Sequence, residues 1–126
     1  MYSAFGLLTP DSDFTMTEAA KRLSAKFPSF PVEQNADTIV VASADWEIHL
    51  SLNESSTVLE ESREIAGHIG GAEDAKDIAN CARRIELFSD MPDPEMNHFN
   101  DYLFAIEVLQ SFNGVIAVDP KEPSLL

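Results

Sequence analysis

Cysteine is almost absent: the 126-residue chain holds one, Cys81. A single thiol excludes an intrachain disulfide framework and a multi-cysteine zinc site. It suits a reducing compartment, so a cytoplasmic location is expected. Basic residues are also scarce, with eight Lys and Arg against 22 Asp and Glu, a formal net charge of -14. Direct nucleic-acid binding requires Lys and Arg to neutralise phosphates and is not expected here. Anionic membrane surfaces are disfavoured for the same reason. No apolar run approaches the ~18 residues of a membrane span. Met1–Leu8 lacks the basic start and apolar centre of a signal peptide and reads instead as structure. The five glycines form neither a GxGxxG nor a GxxxxGKS/T phosphate loop. No GxSxG elbow or HExxH helix occurs. No cofactor is expected, and a non-enzymatic role is favoured.

What the chain does have is apolar content, at 44% of residues, too much for a disordered acidic tail. A chain of this length forms one domain and buries roughly two-thirds of its unfolded surface. The boundaries are 1–118 for a single α+β domain and 119–126 for a Pro-containing tail. The charge is uneven. Residues 1–30 hold three acids and three bases, leaving nineteen acids and five bases from residue 31 onward.

Local patterns predict the elements. Met1–Leu8 reads as a strand ending at Thr9-Pro10-Asp11. Thr15 to Glu18 has capping-box spacing, and Met16, Ala19, Ala20, Leu23 and Phe27 recur with helical period until Pro28. Thr38–Ala44 suits a central strand. In Trp46–Asn53, Trp46, Ile48, Leu50 and Leu52 alternate with Glu47, His49, Ser51 and Asn53, so one face is wet. A tight hairpin around Ser43–Asp45 joins the two. Ser55 or Ser56 caps a second helix, which Gly70-Gly71 ends. A third helix follows from about Glu73, with Arg83-Arg84 at its C-terminal carbonyls. Ile85–Phe88 is assigned as a strand, 95–112 as a helix begun by Asp93-Pro94, and Val115–Val118 as a last buried strand. The order is β-α-β-β-α-α-β-α-β. It matches a two-layer α+β sandwich with helices on one sheet face. The core is a ferredoxin-like βαββα(α)β plan, with a C-terminal helix and strand added.

The segment Asp90–Tyr102 concentrates candidate chemistry. Asp90, Asp93, His98 and Asp101 form a candidate metal-ligand set of hard oxygens and one imidazole. On a helix, Glu95, His98 and Asp101 would share a side. The structural alternative gives Asp93 an N-cap role and His98 a place on the apolar arc of Phe99, Tyr102, Ile106 and Leu109. His49 beside Glu47 is a candidate acid–base pair or a solvated strand face. His68 reads as a helix C-terminal residue, and Cys81 as a small buried hydrophobe rather than a nucleophile. Phe104 and Val108 place an apolar pair on the otherwise polar side of the last helix, a partner surface or a face buried under another element.

Three functional readings follow for this small acidic bacterial-type protein. The leading one is a non-enzymatic protein-interaction or inhibitor module that binds a basic protein partner through Glu60, Glu61, Glu64, Phe104 and Val108. Small acidic inhibitors of the immunity kind share this profile, a likeness of composition that no residue motif carries. The second is a metal-binding domain or metal-dependent enzyme built on the Asp90–Asp101 set. The third is a DNA mimic whose carboxylates imitate phosphates. A homo-oligomer is compatible with all three.

Overall fold

The computed structural model describes residues 2–43, 45–69 and 72–126. In chain order the elements are β1 (Ser3–Leu8), α1 (Met16–Lys26), β2 (Val32–Asn35), β3 (Thr38–Ala42), β4 (Glu47–Asn53) and α2 (Val58–Ile69). They continue with α3 (Ala72–Ala79), β5 (Arg83–Phe88), α4 (Phe99–Gln110), β6 (Val115–Asp119) and β7 (Ser124–Leu125). The seven strands make one antiparallel sheet in the order β2-β3-β4-β5-β1-β6-β7. The expected second helix is α2, and its expected terminus at Gly70-Gly71 lies outside the described residues.

Local chemistry explains the first helix. The Thr15 hydroxyl accepts the Glu18 amide at 3.2 Å, which satisfies one orphan N–H of the first turn. Ala19 and Leu23 then bury the inner face. In β4, Ile48 and Leu50 are buried while Glu47, His49, Ser51 and Asn53 keep partial exposure, as the alternation requires.

The sheet has two apolar faces rather than one. Ala4 and Leu8 of β1 pack with α1 and α4, together with Ile39, Ile48, Leu50, Ile85 and Leu87. Leu7 and Phe5, of opposite parity in the same strand, pack with Ile65, Ala66 and Ile78 of α2 and α3. Val118 and Ile116 of β6 join this second cluster, while Ala117 and Val115 join the first. The two-layer arrangement is therefore corrected: α2 and α3 cover the second face over β1 and β6. The reason is legible in β1, whose SAFGLL run is apolar on both sides of the pleat. The mixed α+β class stands. The ferredoxin-like plan is exceeded by seven strands and by helices on both faces. β5 and β6 are each antiparallel to β1, so they run parallel to one another around it, joined through α4.

Two strands escaped the pattern reading. β2 (VEQN) pairs with β3 as a short polar edge, and β7 pairs with β6, Val118 opposite Leu125. The C-terminal segment is thus a hairpin strand rather than a loose tail. The Leu126 amide donates to the Ala117 carbonyl at 3.0 Å, and Gln110 Nε2 donates to the Leu126 carbonyl at 3.2 Å. Short or charged edges resist pairing with other chains. Arg83 and Arg84 open β5 and do not cap α3, which ends at Ala79.

Candidate functional site

The segment before α4 is built around one carboxylate. Asp93 Oδ1 accepts the Asn97 amide at 3.0 Å, and Oδ2 accepts the His98 amide at 2.9 Å and the Tyr2 hydroxyl at 2.7 Å. These bonds close a turn over residues 93–98. Met96 takes a positive φ of 56° within it, and the helix starts only at Phe99. Asp93 does cap backbone amides, but those of a turn. Glu95 lies outside the helix, so it shares no helix side with His98 and Asp101.

His98 is held on three sides. Its ring stacks on Trp46 with centroids 4.8 Å apart and planes 4° apart. Nδ1 lies 3.0 Å from Asp101 Oδ2, and Nε2 lies 3.3 Å from Asp45 Oδ1. Only the imidazolium donates to both carboxylates at once. Trp46 is buried, and its Nε1 has no hydrogen-bond partner among the described residues. Tyr2 packs edge-on against Trp46 at 5.9 Å and stacks on Tyr102 at 4.8 Å. Asp45, Trp46 and Tyr2 were missing from the sequence-derived set because only the tertiary fold brings them to α4.

The four metal candidates do not assemble as a ligand set. Asp90 is exposed, Asp93 is committed to Tyr2 and two amides, and His98 bridges Asp45 and Asp101. Among the described residues no three His, Cys, Asp or Glu side chains converge to hold a metal ion.

The Tyr2–Asp93 bond has a measurable signature. The hydrogen bond to Asp93, with burial and the carboxylate charge, pushes the Tyr2 phenol up to about 12. Burial acts to raise the Asp93 carboxyl, but the bonds from Tyr2, His98 and Asn97 and the charge of His98 together hold it below the ordinary value. The phenol's folded value lies above the unfolded value of about 10. Its stabilisation is therefore complete below pH ~10 and lost as pH rises through about 12. The carboxylate contribution is present above the ordinary carboxylate range and lost as pH falls through the depressed value. In a Tyr102→Phe background, phenolate absorbance should place Tyr2 near 12, and Asp93→Asn should return it towards 10. An unshifted phenol in the Tyr102→Phe protein would remove the bond from the account.

Elsewhere the candidates separate. Glu60 and Glu64 are exposed on α2, whereas Glu61 Oε1 meets Arg84 Nη2 at 3.2 Å. Arg84 Nε also donates to Glu86 Oε2 at 2.9 Å, and Asn53 Nδ2 donates to the same oxygen. His49 Nε2 lies 3.2 Å from Glu47 Oε2 and its ring stacks on Phe88 at 5.3 Å, on the side of β4 opposite Ile48 and Leu50. Cys81 is buried in the second cluster, where burial and the nearby Asp77 push its thiol up to about 11. Such a thiol carries little thiolate at neutral pH.

Of the apolar pair on α4, Val108 is only 5% exposed and belongs to the core, which corrects its assignment to a partner surface. Phe104 is 39% exposed. Four of the six exposed large apolar side chains among the described residues fall in one stretch: Met91, Met96, Leu103 and Phe104. Beside Phe104, the end of α1 and the following turn leave a groove of about 230 Å³, with Asp101 on its wall. Scans against family models, curated proteins and solved structures each find no match to this chain.

Proposed function

We propose that the chain is a non-enzymatic, inhibitor-like interaction module that docks a basic protein through the outer face of α4 and the loop before it. The observation that carries this reading is that Met91, Met96, Leu103 and Phe104, four of the six exposed large apolar side chains among the described residues, fall in one stretch of chain that also holds Asp90, Glu95 and Asp101. Protein interfaces join apolar anchors to a polar rim in this way. Exposed methionines adapt to a partner's shape. The acidic rim and the net charge of -14 steer a basic partner to it. A DNA mimic needs a regular stripe of carboxylates alone, whereas this stretch of chain mixes its carboxylates with exposed large apolar side chains. Glu60 and Glu64 on α2 lend long-range field, while Glu61 is engaged with Arg84.

Capture from lysate of the native host tests the proposal. Wild-type protein should retain a basic protein that elutes as salt rises, since screening weakens exposed charge contacts. The folded double variant Met96→Ser/Leu103→Ser should retain at least about tenfold less, the equivalent of ~1.4 kcal/mol. Equal retention by the variant would overturn the assignment of this face.

A further inference from the structure

We infer that the groove beside Phe104 is a receptor for a lysine ammonium. The inference rests on the docking face proposed above and names what the partner inserts there.

The groove is walled by aromatic rings. Phe27 and Phe30 stack with centroids 5.7 Å apart and planes 14° apart. Phe104 meets Phe27 at 6.3 Å and 58°, so ring surfaces of two orientations flank the same space of about 230 Å³. Asp101 lines it as well. A ring face carries negative quadrupole density and attracts a cation, and a carboxylate at the edge supplies the counter-charge. A neutral apolar side chain would gain burial alone.

An ammonium already occupies part of this site. Lys26 Nζ lies 4.9 Å from the Phe104 centroid and 3.0 Å from Glu107 Oε2. The chain's own lysine thus shows the preference of the ring, and it stands at the groove as an internal competitor. A partner lysine either displaces it or takes the remaining ring surface, and in both cases meets its charge.

The chain's own lysine at the Phe104 ring makes lysine the occupant to test, with arginine as its competitor. Asp101 Oδ2 is engaged with His98 Nδ1 at 3.0 Å, and His98 is fixed by Trp46. Asp101 Oδ2 already accepts from His98, so one further charge-assisted contact is the least demanding use of this carboxylate. A compact ammonium needs only one. His98 is therefore a positioning residue for this carboxylate.

Amide chemical-shift titration of the full chain tests the inference. The probes are N-acetyl-lysine N-methylamide, its norleucine counterpart without the ammonium, and its arginine counterpart. The lysine probe should produce saturable shifts at Phe27, Phe30 and Phe104 that weaken with salt. It should bind at least about threefold tighter than either other probe, the scale of one exposed cation–π contact. Lys26→Met keeps the aliphatic stem and removes the resident charge, and should tighten the lysine probe about threefold. Phe104→Leu and Asp101→Asn should each weaken it by a similar factor. Equal response to norleucine, absent shifts, or no effect of Lys26→Met would overturn the inference. Met96 and Leu103 lie outside the groove lining. A failed probe with intact capture therefore leaves the docking face standing. A binding probe with capture indifferent to Met96→Ser/Leu103→Ser does the reverse.

Discussion

Replacing Gly114 with alanine should destabilise the fold by about 3 kcal/mol, a fall in Tm of roughly 10 °C for a domain of this size. Gly114 has a φ of +73°, where a Cβ costs about 1–2 kcal/mol. An added Cβ would also stand 2.5 Å from Thr9 Oγ1 and 2.7 Å from Ser12 Cα. The second neighbour is backbone and has no room to retreat. The Thr9 amide donates to the Gly114 carbonyl at 2.9 Å, and the Asp13 amide donates to the Asn113 carbonyl at 3.2 Å. Asp13 Oδ1 accepts the Asn113 amide at 2.9 Å. These bonds fasten the loop after β1 to the turn between α4 and β6. Gly67 in α2 supplies the control, because nothing lies within 4 Å of its added Cβ. Gly67→Ala should be stabilising by about 0.5–1 kcal/mol through helix propensity. Chemical denaturation checks both, and a loss below about 1 kcal/mol for Gly114→Ala would show that the loop yields.

Arg84→Ala should cost about 3 kcal/mol, the low end for breaking a buried ion pair. Arg84 is 6% exposed, its guanidinium sits 4.1 Å from the centre of the Phe5 ring, and it bonds Glu61 and Glu86. Truncation removes the stem from the second apolar layer and leaves Glu86 with only Asn53 as partner among the described residues. Both carboxylates keep some contact with water, which limits the loss. Nη1 has no acceptor among the described residues, so the native pairing is incomplete. Arg84→Met restores the packing, and adding Glu86→Gln removes the stranded charge, so the double variant should recover more than half of the loss. Equal denaturation midpoints for Arg84→Ala and the double variant would show that charge pairing contributes nothing here.

Elements set by short-range chemistry were legible in the sequence. The Thr15 cap and the alternation of Trp46–Asn53 needed only neighbours along the chain. The IELF strand was recovered as part of β5. What failed depended on distant partners. β2 and β7 are polar or very short, and each is a strand because β3 or β6 lies beside it. The late start of α4 follows from Asp93 bonding Tyr2 across 91 residues. Asp93, His98, Asp101 and Phe104 were visible as residues worth attention. Their grouping with Asp45, Trp46 and Phe27 was not, since no spacing rule joins a hairpin turn, a strand and two helices. Val108 was misplaced because α1 packs against the side of α4 that a wheel drawn on the sheet alone leaves open.

The position of β1 has a consequence for how the chain reaches its native state. β1 is the earliest strand in sequence, yet its two neighbours are β5 and β6, from residues 83–119. The β2-β3-β4 meander closes with short-range contacts, which local pairing can reach quickly. The sheet's centre instead waits on pairings such as Leu8 with Arg83 and Phe5 with Val118, far apart in sequence, so the topology has high contact order and is expected to fold slowly for its size. During synthesis, the apolar side chains of Phe5, Leu7 and Leu8 have no strand to pair with until most of the chain has emerged. β1 thus precedes both of its partners in the chain and is completed only when they arrive, and a net charge of -14 favours repulsion between chains over association in the meantime.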